Sequence, residues 1–395
     1  MPSRIPPLAI TAHTATSALG RGRAAHIQAL RDRRSGLRAN DFTATPLACA
    51  IGRVDGIEQV ALPDELARYD CRNNRLAWLG LGADGFLGAA RAAIARHGAQ
   101  RVALLVGTST ASIGVTEQAY RELDADRFPP ALAVPHLHTP HSLGLFLEAV
   151  LGTRGPCMTI ATACSSSAKI FAQGERLIRL GIVDAAIVAG VDSLCGSVLF
   201  GFNALELISP EACRPFDAAR RGISIGEGAG FALLEREGDG APRLLGHGES
   251  SDAHHMSTPH PQGLGARLAL ADALARAGIA ADEVDYVNLH GTATLKNDEV
   301  EATVLADTFP ARTRASSTKG WTGHTLGAAG ILEAVLALLA IEHGLVPGTL
   351  NTTTPDAACG PQLALGNESR AIRVALSNSF GFGGNNCTLA FGCAA

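Results

Sequence analysis

The chain has 395 residues, enough for one large domain or two fused ones, and its hydrophobic content of 47% is that of a globular protein. Its net charge of -4, without a dense basic stripe, argues against nucleic acid as a partner. The nine cysteines are odd in number and lack paired short spacings. This argues against a disulfide framework and a CxxC-type zinc site, and it indicates a reducing cytoplasm.

No segment predicts a signal peptide or a membrane span. The apolar stretch within residues 1–11 is too short for a signal peptide. Residues 331–341 come closest to a membrane span, but this run is short and Glu333 interrupts it.

Apolar runs typical of buried strands alternate with helical patterns along the chain, which predicts an α/β protein. Strands are predicted at residues 8–11, 102–106, 157–163, 185–189, 230–234, 286–289 and 374–377. Helices are predicted at residues 24–32, 81–96, 115–123, 142–151, 265–277, 297–309 and 328–343. The polar, glycine-rich segment 235–255 is the candidate boundary between two halves, residues 1–246 and 247–395, which are compatible with a duplicated unit.

Residues 155–181 place Cys164 at a turn between a strand and a helix. The small polar residues 165–167 can cap the helix start, and Gly181 is a plausible stop. The Cys164 sulfur would then lie beside the positive end of the helix dipole, which favours the thiolate. The pattern is compatible with a nucleophile, and a buried structural cysteine is the alternative.

Two further stretches carry histidines in glycine-rich turns. An apolar strand delivers His290 to a turn, and Asp298 and Glu301 follow on one face of the next helix. Lys319 and His324 lie on a loop flanked by glycines, where the order of Gly and Lys rules out a phosphate-binding loop. A structural histidine and a tight helix entry are the respective alternatives.

A fourth stretch, residues 377–386, follows the last predicted strand. Glycines on both sides of Phe382 let its backbone amide turn toward a ligand, as an oxyanion donor must. The alternative is a glycine-rich hairpin that ties off the C-terminus.

Together these motifs closely resemble the elongating branch of the β-ketoacyl-acyl-carrier-protein synthases, also called 3-oxoacyl-ACP synthases. The resemblance covers nearly the whole chain. It rests on Thr-Ala-Cys-Ser-Ser at 162–166, Arg-Pro-Phe-Asp at 214–217, Gly-Glu-Gly-Ala-Gly at 226–230, His-Gly-Thr-Ala-Thr at 290–294, Gly-His at 323–324 and Asn-Ser-Phe-Gly-Phe-Gly-Gly at 378–384. It implies the thiolase-like α/β fold, with two similar halves in a layered α-β-α-β-α arrangement.

The resemblance also implies roles for single residues. Cys164 looks like the residue that takes the acyl chain as a thioester, while His290 and His324 bind the malonyl thioester carbonyl and stabilise the enolate. The amides of Cys164 and Phe382 form the oxyanion hole, and Phe382 is also the gate between acyl entry and malonyl entry.

Supporting roles are carried over in the same way. Lys319 and Glu301 match the charge pair behind the histidines, with Asp298 as its neighbour. Thr292 and Thr294 match the threonines that bind the pantetheine arm. No metal is required, but a structural monovalent cation could lie among Asn288, Glu333, Ser377 and Asn378.

The activity implied is an acyltransferase reaction, the decarboxylative condensation of an acyl thioester with malonyl-acyl-carrier protein to give 3-oxoacyl-acyl-carrier protein and carbon dioxide. No cofactor is expected, since the substrates arrive on the phosphopantetheine of acyl carrier protein. The expected assembly is a homodimer, or a heterodimer with a related ketosynthase-like subunit. A thiolase or initiating synthase and a non-catalytic scaffold subunit are the alternatives; two histidines and the presence of Cys164 favour an active elongating enzyme.

Three departures from the family pattern bear on the pathway. Arg221 stands where an acidic residue is common, Asn385 replaces the usual Thr, and the loop at residues 209–214 is short. These departures argue against the housekeeping fatty-acid enzymes. Residues 34–37 and the overall brevity of the chain resemble, more faintly, ketosynthases of aryl-polyene pathways, so fatty-acid and polyene or polyketide elongation both stay open.

Two groups of histidines invite a metal interpretation, His136, His138 and His141 in one loop and the pair His254 and His255. The first group lies in a loop before a helix and has no acidic or cysteine partner nearby, so we expect solvated or interface histidines there, and we expect the same of the pair.

Overall fold

The computed structural model describes residues 3–393. Its ten main strands are β1 (Leu8–Ser17), β2 (Val102–Gly107), β3 (Cys157–Ile160), β4 (Ala185–Asp192), β5 (Gly228–Glu235), β6 (Arg243–Ser251), β7 (Tyr286–Leu289), β8 (Arg314–Ser317), β9 (Val374–Gly381) and β10 (Asn385–Gly392). Its longer helices are α1 (Gly22–Arg31), α2 (Arg72–Leu81), α3 (Phe86–His97), α4 (Ile113–Arg121), α5 (Ser142–Leu151), α6 (Ser166–Arg179), α7 (Gly196–Ala204), α8 (Leu264–Ala277), α9 (Leu295–Thr308) and α10 (Ala329–His343).

The ten strands form two five-stranded units of identical topology. The first has the order β3-β2-β4-β5-β1 and the second the order β8-β7-β9-β10-β6. In both units the first three strands are parallel and the last two are antiparallel. The units meet where β1 pairs with β6, at Leu8↔Leu244 and Ala9↔Arg243. This repeated order supports the predicted duplication.

Helices α6 and α10 lie between the two units. Phe171 of α6 and Leu338 of α10 share one apolar core with Leu105 of the first unit and Leu389 of the second. Helices α2, α3 and α5 cover the outer face of the first unit, and α8 and α9 cover that of the second. The predicted α-β-α-β-α layering is therefore confirmed.

Strand β6 falls within the segment that the sequence suggested as a domain boundary. Its hydrophobic alternation is hidden because it contains Gly246 and Gly248. A Cβ at Gly248 would lie 1.9 Å from the carbonyl oxygen of Ala269, so only glycine lets α8 pack this closely. A boundary between residues 246 and 247 would divide β6. The division into two halves stays a proposal, and the turn between Glu235 and Arg243 is a better position for its boundary.

The prediction of one helix over residues 81–96 was wrong. Helices α2 and α3 are separate because Asp84 and Gly85 take positive φ angles of 51° and 71°. The most apolar stretch, Leu326–His343, is long enough to cross a membrane, but 83% of it is buried inside the protein, where α10 forms the central layer.

Candidate active site

Cys164 lies on a sharp turn between β3 and α6, as predicted, although β3 ends at Ile160. The turn places Ala163 at a φ of +52°, which is strained for a residue with a side chain. The Ser166 hydroxyl holds the turn: it accepts the Thr162 N–H at 2.9 Å and donates to the Ala163 carbonyl at 2.6 Å. The nucleophile candidate is thus fixed at the start of the central helix.

Burial raises the pKa of the Cys164 thiol to about 11, although Lys319 and the amides of Phe382 and Cys164 act in the opposite direction. The expectation of a favoured thiolate is therefore wrong, because desolvation outweighs the donors around the sulfur. Both amides act on the sulfur that would carry the acyl group, and their role as an oxyanion hole stays a prediction.

His324 and His290 both present an Nε2–H group to the pocket. His324 Nε2 lies 3.0 Å from Cys164 Sγ, and its Nδ1 accepts the Leu326 N–H at 3.2 Å. His290 Nδ1 lies 3.3 Å from Lys319 Nζ, an ammonium that can only donate. The proton of each neutral ring is thereby assigned to Nε2. Burial, followed by the charge of Lys319, holds the pKa of both histidines well below 6.5, so both are neutral donors.

Cys164, His290 and His324 also have ligand atoms within 4.8 Å of one another, close enough to hold a metal ion. A metal-binding histidine usually donates its other N–H to an acceptor, which leaves the ligating nitrogen free. In both histidines the other nitrogen is instead an acceptor. This arrangement favours hydrogen-bond donation over metal binding, while the absence of a metal requirement stays a prediction.

Lys319 does not pair with Glu301, so that predicted charge pair is wrong. The ammonium binds Glu333 of α10 and the carbonyl oxygen of His290. Both groups are buried, and burial raises the pKa of Glu333 to about 7 despite the lysine. Lys319 thus links His290 to the central helix α10.

Glu301 and Asp298 instead hold the backbone that carries His290. The Glu301 carboxylate accepts the N–H groups of His290 and Gly291 at 2.8 and 2.7 Å. Asp298 accepts the Thr292 N–H at 2.9 Å. Burial raises the pKa of Glu301 to about 7. Both carboxylates shape the turn after β7 and do not face the reacting atoms.

The residues predicted around a monovalent cation fit it only in part. The side-chain oxygens of Asn288 and Asn378 accept hydrogen bonds from threonine hydroxyls at 3.3 and 2.9 Å. Glu333 Oε2 and Ser377 Oγ are buried without a hydrogen-bond partner among residues 3–393. Lys319 already supplies positive charge to Glu333, so this carboxylate does not require a cation. The cation therefore stays a prediction.

One pocket contains Cys164, His290 and His324 together with Phe382 and the predicted pantetheine contacts. Thr292 and Thr294 line it, and their hydroxyls are 2.9 Å apart. The sequence did not identify the apolar wall, which consists of Phe202, Leu207 and Ile223. Helix α7, which carries Phe202, gave no periodic signal.

The histidines considered for metal binding, His136, His138 and His141 and the pair His254 and His255, do not form shared ligand clusters among the described residues. His136, His138 and His141 each bond separately to backbone carbonyls or threonine hydroxyls, at 2.6 to 2.8 Å. His254 and His255 are exposed. The first group is thus half-buried and hydrogen-bonded and the pair is solvated, while the absence of a metal at either group stays a prediction.

Two family models match the chain, the N-terminal domain of β-ketoacyl synthases over residues 84–240 and the C-terminal domain over residues 242–353. Nodulation protein E from Rhizobium meliloti (strain 1021) is 36% identical over 308 residues, which are 74% of this chain and 76% of that protein. The chain belongs to the β-ketoacyl synthase family.

The synthase is similar to other members over different lengths. The mitochondrial 3-oxoacyl-[acyl-carrier-protein] synthase of Arabidopsis thaliana is 38% identical, over 61% of this chain and 57% of that enzyme. The ketosynthase ApeO of Xenorhabdus doucetiae, solved with its chain length factor ApeC, is 38% identical with a TM-score of 0.91 over 100% of both chains. A β-ketoacyl synthase from Burkholderia phymatum STM815 is 28% identical with a TM-score of 0.88 over 99% of this chain and 100% of that one.

These likenesses confirm the thiolase-like fold and the predicted class of enzyme. The synthase is an acyltransferase of the condensing type, acting in fatty-acid or polyketide elongation.

Proposed function

We propose that the synthase joins an acyl chain held on Cys164 to malonyl-acyl-carrier protein, releasing carbon dioxide and forming 3-oxoacyl-acyl-carrier protein. One observation carries this proposal: the Cys164 sulfur, the two Nε2–H donors and the Phe382 amide face one pocket. The roles below follow from that arrangement.

In the first half-reaction, the Cys164 thiol attacks the carbonyl carbon of the incoming acyl thioester. A bond from Cys164 Sγ to that carbon forms, the bond to the pantetheine sulfur breaks, and the thiol proton passes to the leaving pantetheine thiolate. The amides of Cys164 and Phe382 stabilise the oxyanion between these events; one such donor contributes about 10²–10³ in rate.

In the second half-reaction, the malonyl thioester carbonyl accepts the N–H groups of His290 and His324. The electrons of the bond to the carboxylate move into an enolate as carbon dioxide leaves, and the two donors stabilise the charge on the enolate oxygen. The carbanion then attacks the acyl carbonyl, the bond to Cys164 Sγ breaks, and the released thiolate takes up a proton from solvent. Neutral imidazoles suit this role because they donate at neutral pH without first having to be protonated.

Substrate delivery by acyl carrier protein, without a cofactor of the synthase itself, is part of the proposal. Thr292 and Thr294 lie on the pocket wall beside His290, where hydroxyls can bind the amides of a phosphopantetheine arm. The printed names of relatives, such as 3-oxoacyl-[acyl-carrier-protein] synthase, support a carrier protein as the partner.

We also propose that the synthase is the catalytic subunit of a heterodimer in an aryl-polyene-type pathway. The full-length likeness to ApeO, which was solved with a chain length factor, supports this choice. The edge of the first unit is also open: Met158 of β3 is 40% exposed, whereas the equivalent strand β8 is largely buried.

The nine cysteines are free thiols, which supports the reducing cytoplasm as the compartment.

Reconstitution with an acyl-carrier protein and malonyl-carrier protein tests the proposed reaction. We expect one carbon dioxide for each 3-oxoacyl product, and no product when malonyl-carrier protein is withheld. Product formation without carbon dioxide would indicate a thiolase. Product output that is unchanged in Cys164→Ala would indicate a scaffold subunit.

A further inference from the structure

The turn that carries the Phe382 amide is joined to the helix that follows Cys164 by one lysine. Lys169 Nζ lies 3.2 Å from the side-chain oxygen of Asn385. Lys169 is in the first turn of α6, and Asn385 directly follows the turn Phe382–Gly384. Asn385 is also one of the positions where this chain departs from its family's pattern.

The two amides proposed for the oxyanion hole lie on or directly next to the elements that this contact joins. The Cys164 amide belongs to the short turn Ala163–Ser165 that leads directly into α6, and the Phe382 amide belongs to the turn Phe382–Gly384. Gly383 and Gly384 both have a φ of +77°, so two glycines give the turn its shape. Glycine backbones are conformationally permissive, and the distance between the two amides therefore depends on what holds the turn against α6.

Further hydrogen bonds hold the turn from other elements. The Gly383 N–H donates to the Met256 carbonyl at 2.7 Å, and the Asp252 N–H donates to the Gly384 carbonyl at 2.9 Å, so both tie the turn to the loop after β6. The side-chain amide of Asn386 on β10 donates to the Gly384 carbonyl at 3.0 Å. The bond from Lys169 ties it to the helix of the nucleophile.

We propose that Lys169 is a positioning residue that, through Asn385, holds the Phe382 amide in place beside Cys164. The proposal rests on the oxyanion-hole role given to Phe382 above. An ammonium that donates to a partly buried amide oxygen makes a charge-assisted bond, stronger than one between neutral groups. A threonine at position 385 would place its hydroxyl one bond closer to the backbone, leaving Lys169 without this acceptor.

The proposal separates the two half-reactions. Acylation of Cys164 uses the oxyanion hole, so its rate depends on the Phe382 amide. Decarboxylation uses the N–H groups of His290 and His324, which lie on other elements. Loss of the Lys169 contact should therefore slow acylation while decarboxylation continues.

The test is Lys169→Met, which keeps most of the aliphatic stem and removes the ammonium. Acylation of Cys164 by an acyl-carrier protein is followed by rapid-quench mass spectrometry, and carbon dioxide release from malonyl-carrier protein is measured separately. We expect acylation to slow by about tenfold, as a small misplacement of a reacting group can cause. Carbon dioxide release should stay unchanged, and Lys169→Arg should recover part of the acylation rate.

Three further variants distinguish a role of this contact from a general loss of stability. Asn385→Leu should slow acylation as much as Lys169→Met does, and the double variant should be no slower than either single one. Lys296→Met is the matched control, because Lys296 is an exposed lysine paired with Glu299 on the surface of α9.

Equal losses of acylation and decarboxylation, or additive losses in the double variant, would overturn the proposal, as would an unchanged acylation rate. Failure of the proposed function would look different. The unaltered synthase would then take up the acyl group but release no carbon dioxide, and the effect of Lys169 on acylation could still be measured.

Discussion

At the scale of single residues, the chemistry of His290 and His324 depends on the nitrogen that faces away from the pocket. The Leu326 amide and the Lys319 ammonium each donate to that nitrogen. Both rings must then carry their proton on Nε2. The sequence showed two histidines in glycine-rich turns, but it could not show which nitrogen each one presents.

Replacing either histidine should separate the two half-reactions. In His290→Ala or His324→Ala, carbon dioxide release from malonyl-carrier protein should fall by about 10²–10³, because one donor to the enolate oxygen is lost. Acylation of Cys164, read by intact-protein mass spectrometry, should persist. His254→Ala, at an exposed histidine, serves as the control. Normal turnover in either active-site variant would refute the assigned role.

The raised pKa of Cys164 makes a prediction about its reactivity. Only the thiolate is alkylated, and the thiol pKa is about 11. The rate of iodoacetamide labelling at Cys164 should therefore rise about tenfold for each pH unit and show no plateau below pH 10. For a cysteine-containing peptide with a thiol pKa near 8.5, the labelling rate levels off about one pH unit above that pKa. A plateau for Cys164 near pH 9 would contradict the desolvated thiol.

Residue roles could be predicted where one local motif fixes them. Cys164 on its turn and Phe382 between glycines are local features, and the structure places both at the pocket. The partner of Lys319 is not local: Glu333 lies on α10, whereas the predicted Glu301 lies on α9. A carboxylate brought in by another helix leaves no signature near the lysine in the sequence.

At the scale of elements, glycines that permit close packing obscured the pattern that predicts strands. Strand β6 was missed because Gly246 and Gly248 face α8 at distances that no side chain allows. The same requirement applies between α6 and α10. There, a Cβ added at Gly330 would lie 2.5 Å from the backbone nitrogen of Ala168.

Gly330→Ala tests whether this close packing stabilises the central layer. The added methyl has to push α10 away from the backbone of α6, and we expect a loss of about 1–3 kcal/mol in the free energy of unfolding by urea. Gly88→Ala in α3 is the matched control, since its Cβ would meet nothing within 4 Å. The control should gain about 0.5–1 kcal/mol from helix propensity. Equal effects at both positions would contradict the packing argument.

At the scale of the whole molecule, the two repeated units divide the work between them. The first unit supplies Cys164, and the second supplies His290 and the Phe382 turn. Alternation of strands and helices was enough to predict the layered fold. The identical strand order required the three strands β6, β8 and β10, which the sequence did not indicate, so duplication could be suspected but not demonstrated.

The open edge of the first unit makes a prediction about assembly. Met158→Arg places a charge on the exposed side of β3. A partner strand could then pair with β3 only by burying the arginine charge, which is unfavourable. We expect the variant to lose its dimer, measured by light scattering during gel filtration. Leu268→Arg, at an exposed position of α8, should leave the assembly unchanged. A Met158 variant that remains dimeric would place the interface elsewhere.

The most direct test of the central claim is Cys164→Ala, supplied with acyl-carrier protein and malonyl-carrier protein labelled in its carboxylate. The claim is that Cys164 carries the acyl group while the two histidines make the nucleophile. The variant should still release labelled carbon dioxide, because His290 and His324 remain, and the malonyl group should end as acetyl-carrier protein. No 3-oxoacyl product should form. A 3-oxoacyl product from this variant at the unaltered rate would contradict the account.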